Sequence, residues 1–212
     1  MMKVIMINKN WLLLAVLLIG VTGCAGEKLP AASTYTLSPE LNTFQAVNTQ
    51  QIKPAGILML ERIQSSQLFN SREIIYRDTG YRQSSYAYSR WSDSPAAMLL
   101  LIFQEALEKS GYYAAVVPYS SQSRSDFLLE STLLDFSHQI NDDRTSDGVI
   151  RMRFTLIDNN TNRVIASRDF VATVPVAAPI NAGGAVVALN QAVTVITQEM
   201  IEWLEAFPVA AR

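Results

Sequence analysis

Val149-Ile150-Arg151-Met152-Arg153-Phe154-Thr155-Leu156-Ile157 alternates apolar and polar side chains with a period of two. In an extended chain Ile150, Met152, Phe154 and Leu156 share one side, and Arg151, Arg153 and Thr155 the other. Such a stretch is a strand in a sheet with one dry face and one wet face. Downstream, Asp158-Asn159-Asn160-Thr161-Asn162 supplies turn residues, and Arg163 to Val174 comes back antiparallel until Pro175 and Pro179 end it. Upstream, the long strand region Phe127 to Ile140 leads into an acidic loop, Asn141 to Gly148.

A dry face needs a cover, and two segments have helical period. Val186, Leu189, Val193, Ile196, Met200 and Leu204 recur every three or four residues, and Trp203 and Phe207 extend that side. The segment starts near Gly183-Gly184, and Asn190, Gln191, Thr194, Thr197, Gln198, Glu202 and Glu205 lie opposite, so it is an amphipathic helix that lies on a sheet. The other helix has Ser94 as its cap, Pro95 at its first position and Gly111 to end it. Met98, Leu99, Leu101, Ile102, Phe103, Ala106 and Leu107 cover most of its circumference and leave a thin polar stripe of Gln104, Glu105, Glu108 and Lys109.

Shorter strands complete the pattern at Tyr35–Leu37, Ile57–Ile63, Glu73–Arg77, Tyr81–Trp91 and Tyr112–Val117. Asp78-Thr79-Gly80 joins the third and fourth of these as a hairpin. The fold class expected is therefore α+β: an antiparallel or mixed sheet with two main helices packed on one face. It forms a single domain over residues 35–207, with a short C-terminal tail at 208–212.

The chain before this domain reads as a secretory leader. Lys3 and Lys9 give a positive start, and Trp11 to Ile19 is an uncharged apolar core, too short to span a bilayer alone. Val21-Thr22-Gly23-Cys24 follows and resembles a bacterial lipobox. That motif implies cleavage before Cys24, with S-diacylglycerol and an N-acyl chain (palmitate) on the cysteine. The alternative is an ordinary signal peptide cut near Gly23 with an incidental cysteine. Ala25 is the sorting residue: an Asp there holds enterobacterial lipoproteins in the inner membrane, and Ala resembles the outer-membrane default. Residues 24–34 are the lipidated cysteine and its tether; residues 25–34, small and polar, would extend to about 33–36 Å. Two or three acyl chains make such attachment effectively permanent. The expected location is the outer membrane, lipid-anchored and facing the periplasm.

Removing residues 1–23 leaves 189 residues and, with the loss of Lys3 and Lys9, takes the net charge from −2 to −4. That is one domain with room for a core and nothing to attract nucleic acid. Cys24 is the only cysteine, so the lipidated chain has neither disulfide nor thiol chemistry. The lone His138 excludes a multi-histidine metal site, and no other apolar run is a second membrane span. No nucleophile elbow, phosphate loop or Ser-x-x-Lys occurs, which argues against an enzyme such as a periplasmic hydrolase. His138, three residues after Asp135, is structural or at the surface, and the loop Asn141 to Asp147 lacks the ligand order of a calcium site. No metal and no cofactor beyond the covalent lipid are expected.

Aromatic residues and arginines concentrate in one place. Tyr76, Tyr81, Tyr86, Tyr88, Arg90 and Trp91 fall within sixteen residues, and these types are enriched at protein interfaces. They are the candidate partner contact, with Tyr86 and Tyr88 on one side of their strand. Arg151 and Arg153 beside Arg163 and Arg168 make a second basic face, most simply a solvated one.

Four pieces in order carry a family resemblance: the lipobox; Tyr35-Thr36-Leu37-Ser38-Pro39; Ile74-Ile75-Tyr76-Arg77-Asp78 running to Tyr88-Ser89-Arg90-Trp91; and Ala185 to Ala192 through Trp203-Leu204. Together they resemble the ABC-type transport auxiliary lipoproteins, which include the Pqi-type intermembrane transport lipoprotein. Ser92-Asp93-Ser94-Pro95 departs mildly from the more acidic or Pro-containing segment usual there. The resemblance implies a non-enzymatic subunit working with an inner-membrane ABC transporter and a periplasm-spanning MCE-domain protein. It would dock the far end of that protein at the inner leaflet of the outer membrane, with phospholipid or another hydrophobic molecule as cargo. A homo-oligomer is left open. The alternative is a structural or regulatory outer-membrane lipoprotein, such as an activator of a cell-wall synthase.

The anchor is testable by fractionation. Cys24→Ala is expected to block lipid attachment and cleavage and to leave the precursor at the inner membrane. Ala25→Asp is expected to keep the mature protein there in an enterobacterial host. Outer-membrane recovery of either variant would contradict the corresponding assignment.

Overall fold

The computed structural model describes residues 31–41 and 55–207. The expectations for Cys24, Ala25, the rest of residues 1–30, the loop 42–54 and the tail 208–212 lie outside them. The described chain folds as a mixed nine-stranded sheet with two helices, an α+β domain.

Three long strands form its spine: β7 (Phe127–Ile140), β8 (Ser146–Asp158) and β9 (Arg163–Pro175). They pair antiparallel in sequence, Phe136 opposite Ile150 and Met152 opposite Phe170. The period-two expectation holds: Ile150, Met152, Phe154 and Leu156 are each 0% exposed, while Arg151 and Arg153 are exposed. Strand β8 begins at Ser146, so the acidic loop expected over 141–148 is shorter, its last residues pairing with β7.

The other edge of β7 is covered in three steps. β2 (Ala55–Leu60), β3 (Gln64–Ser65) and β4 (Glu73–Asp78) each pair with it in parallel, at Phe127–Leu129, Thr132–Leu133 and His138–Ile140 in turn. Outside these, β6 (Tyr113–Pro118) runs parallel to β2, β5 (Gln83–Trp91) antiparallel to β4, and β1 (Ser33–Tyr35) parallel to β5.

The β7–β8 pairing shifts register between Leu133 and Asp135. Before the shift, Leu129 and Leu133 occupy the dry face; after it, Phe136 and His138 do. One extra residue, Leu134, reverses the alternation, as a β-bulge does. His138 is thereby carried inside, at 0% exposure, and Asp135 and Ser137 are turned to the opposite face.

Both helices sit on the dry face. Helix α1 (Pro95–Ser110) is capped by Ser94, whose side chain accepts from the Ala97 N–H, and ends at Gly111 with φ 65°. That left-handed conformation suits glycine, as the sequence indicates. Helix α2 (Ala182–Glu205) is capped by Asn181, whose side chain accepts from the Gly184 N–H. A chain of ring contacts ties them to the sheet: Phe103 to Phe154 at 5.5 Å, Phe154 to Phe170 at 5.6 Å, and Phe170 to Trp203 at 5.8 Å. At Gly148 helix and sheet backbones nearly touch, since a Cβ there would lie 2.9 Å from the Leu189 nitrogen.

Two helical positions differ from expectation. Leu101 is 68% exposed, in line with Glu105 and Glu108, so α1 has a wider solvent face than its composition suggested. Thr197, placed by spacing among the polar residues of α2, is 0% exposed. Its hydroxyl donates to the Val193 carbonyl at 2.7 Å, and that local bond lets a polar residue sit among apolar ones. In urea denaturation Ile196→Ala, which truncates a fully buried side chain, is expected to cost about 2–5 kcal/mol. Gln198→Ala, on the exposed side, is expected to stay within about 0.5 kcal/mol. Equal losses would mean that the α2 face is misassigned.

Candidate functional site

The β4–β5 hairpin carries the aromatic and arginine cluster, and its pairing is irregular. Glu73 lies opposite Arg90 and Ile75 opposite Ser85, so β5 takes five steps where β4 takes two. The surplus residues lie between Ser85 and Arg90 and include both Tyr86 and Tyr88. Simple alternation, which would give those tyrosines one common environment, therefore fails.

The six candidates separate into an inner and an outer group. Trp91 is 1% exposed and meets the Phe136 ring edge-on at 5.6 Å. It is a core residue and offers no contact surface, which corrects its place among the candidates. Tyr76 and Tyr86 are half-buried with ring centroids 5.1 Å apart. The Tyr86 hydroxyl shares a 2.7 Å hydrogen bond with His138 Nδ1, so this ring is bound to the interior. Tyr88, at 45% exposure, Arg90 and Tyr81 form the outer group. Arg90 Nε donates to the Thr34 hydroxyl of β1 at 3.5 Å.

Tyr81 stands apart. It is fully exposed, at 101%, and adopts φ 61°. A bulky residue in the left-handed region costs on the order of 1–2 kcal/mol. The turn is fixed by the Asp78 carboxylate, which accepts from the Gly80 and Arg82 backbone N–H groups and from Arg82 Nε at 2.8 Å. The hairpin tip is tied to the next one by a hydrogen bond from the Thr79 hydroxyl to Asp142. Between the tips lies an open cleft of about 440 Å³ lined by Arg77, Tyr81, Gln83, Gln139, Ile140 and Asn141, among others. Arg77 is committed inside the fold: Nε donates to Gln83 and Nη1 to Asp135, each at 2.9 Å.

Of the second basic face, Arg151, Arg153 and Arg168 are engaged in structure. Arg151 and Arg153 both converge on Asp169, at 3.1 and 2.6 Å, and Arg153 and Arg151 hold its carboxyl below the usual carboxylate range. Arg168 lies over the Phe170 ring at 4.8 Å. In the loop after β7, Asp143 accepts from the Thr145 N–H and hydroxyl, and Asn141 bonds to Asp147. Among the described residues no group of three or more His, Cys, Asp or Glu is placed to hold a metal ion. Nor is any helix there long and apolar enough to cross a membrane.

The model of one protein family, described as the ABC-type transport auxiliary lipoprotein component, matches residues 35–201. Among solved structures, a Xanthomonas campestris protein assigned to the DUF330 family model superposes with a TM-score of 0.73 at 23% identity, over 82% of this chain and 95% of that one. An uncharacterised protein superposes at 0.62 and 15% identity, over 82% of this chain and 99% of that one. These likenesses establish the fold. The C-terminal domain of LpoB from Salmonella enterica reaches only 0.27 at 12% identity, over 62% of this chain and 90% of that one, and carries no argument. No curated protein matches the chain.

The buried histidine has a pH signature. Burial pushes His138 below its usual value of 6.5, against a smaller upward pull from Asp147. The unfolded chain then binds the proton more readily than the folded one. The His138 contribution is complete above about pH 6.5 and is lost as pH falls from there through the lower folded value. Stability to urea measured from pH 7.5 to 4.5 is expected to decline across that window, and His138→Gln to decline less. Parallel curves for the two proteins would remove this assignment.

Proposed function

We propose, on the premise that this chain belongs to the ABC-type transport auxiliary lipoprotein family, that it is the lipid-anchored docking subunit of an intermembrane lipid transport system. In this reading Cys24 bears the lipid, and Ala25 directs the protein to the outer membrane. The domain, facing the periplasm, receives a periplasm-spanning MCE-domain protein that is coupled to an inner-membrane ABC transporter. The cargo class is phospholipid or another hydrophobic molecule. The observation that carries the proposal is the family match over residues 35–201. The lipobox ahead of the matched region supports the anchor.

The outer side of β5 supports a role in partner contact. Tyr88 and Arg90 are exposed there, while Tyr76 and Tyr86 brace the strand from inside through His138. Tyr and Arg are the residue types that most often dominate binding energy when a partner desolvates them, at 2 kcal/mol or more for an anchor. The double substitution Tyr88→Ala with Arg90→Ala is therefore expected to weaken binding to the co-encoded MCE-domain protein by roughly thirty-fold. Circular dichroism should show an unchanged fold, since neither side chain belongs to the core. Undiminished affinity in a folded double variant would exclude this surface. A parent lipoprotein that binds a cell-wall synthase and no MCE-domain protein would overturn the transport reading.

A further inference from the structure

Three loops lie at one end of the sheet. Asp78 pairs with Ile140 and Asp147 with Pro175, so the β4–β5 turn, the β7–β8 turn and the segment leading into α2 all emerge on the same side. They carry Tyr81, fully exposed, and Ile180, 45% exposed, beside the cations Arg82 and Arg144. Tyr81 packs against nothing that would explain an aromatic ring held at φ 61°. Of the nearby acids, Asp78 is paired with Arg82, while Asp142 and Asp143 accept from Thr79 and Thr145 and keep their charge.

The chain enters the domain from this same side. Strand β1 runs parallel to β5, with Ser33 beside Ser89, so its N-terminal end points toward Gln83 and the hairpin tip. Along β4, which spans Glu73 to Asp78 over the same interval, the tip lies about 15 Å beyond Ser33 at the usual strand rise. Cys24 precedes Ser33 by nine residues, a reach of at most about 30–32 Å. The anchor can therefore bring the hairpin tips to the bilayer with length to spare. The opposite end, with the Asp158–Asn162 turn, lies about 43 Å from the tips along the thirteen residues of β8, hence about 28 Å from Ser33, where the tether would have to double back at nearly full stretch.

We infer that the end of the sheet bearing Tyr81 and Ile180 rests on the lipid surface that anchors the chain, with the Tyr81 ring at headgroup level. This rests on the lipoprotein reading of Cys24. Tyrosine suits that depth, because its ring is apolar and its hydroxyl is wet. Arg144, on the β7–β8 turn, stands where phosphate groups lie, while Arg82 is held by Asp78. The contact fixes which way up the domain stands on its tether and leaves the outer side of β5 clear of the membrane.

The test uses the full lipid-modified protein reconstituted into vesicles of phosphatidylethanolamine and phosphatidylglycerol at 3:1, doped with brominated phosphatidylcholine. Trp91 and Trp203 are buried and give a constant background. In Tyr81→Trp the added emission is expected to be blue-shifted and quenched at least two-fold by bromine near the headgroups. In Thr161→Trp, an exposed position in the β8–β9 turn, it is expected to be unquenched. Circular dichroism confirms folding of both variants. If the protein floats with the vesicles but Trp at 81 is unquenched, or Trp at 161 is quenched as strongly, the orientation is overturned. If the protein does not float, the anchor itself fails, and the inference with it.

Discussion

The structure depends on burying one face of β8. Ile150, Met152, Phe154 and Leu156 are fully enclosed, while the residues between them meet solvent. At roughly 1.5–3 kcal/mol for each large side chain taken fully out of water, that face is worth several kcal/mol before entropy is subtracted. It dictates where both helices go. Phe103 of α1 and Trp203 of α2 reach the same sheet through Phe154 and Phe170, in edge-on contacts of 5.5 to 5.8 Å. Edge-to-face rings add specificity to area, since shifting one helix along the sheet would break successive contacts.

Around this regular centre the irregular features do the positioning. The bulge at Leu134 turns His138 inward, where it meets Tyr86 from the neighbouring hairpin. His138 Nε2 has no hydrogen-bond partner among the described residues, and neither does the buried Ser146 hydroxyl on the adjoining strand. A buried polar group without a partner is costly, so this corner is a soft point of the core, as is the Tyr113 hydroxyl elsewhere in it. It lies beneath the part of α2 that packs on Gly148, and Asn190 of that helix receives the Ser38 N–H. The segment from Tyr35 to Leu41 is thus joined to the same corner: the Tyr35 carbonyl accepts from the Ser92 N–H, and Leu37 and Leu41 enter the core.

These connections give the domain a polarity that bears on its work as a transport component. The strap β1 runs along the edge of the sheet beside β5, and the segment after it meets both helices, Thr36 touching Met98 of α1 and Ser38 bonding to Asn190 of α2. On the second arginine face, Asp169 binds both Arg151 and Arg153 and offsets one of their two charges.

Much of this was legible in the chain. Strict alternation over residues 149–157, the Ser94-Pro95 start and Gly111 end of α1, and the spacing of Val186 to Leu204 each determined an element locally, because strand, cap and helix periods are properties of neighbouring residues. Membership of the aromatic and arginine cluster was also visible as composition. The chain could not show which members point outward. Tyr86 and Tyr88 share a parity, yet the uneven β4–β5 pairing binds one to buried His138 and leaves the other in water. Trp91 and Thr197 looked available by type and spacing, but Phe136 covers the first and the helix-on-sheet packing encloses the second. Register shifts and inter-element contacts join residues far apart in sequence, and no local period encodes them. That is why tertiary structure alone decided which tyrosines face solvent, and at which end of the sheet the chain's entry and Tyr81 come together.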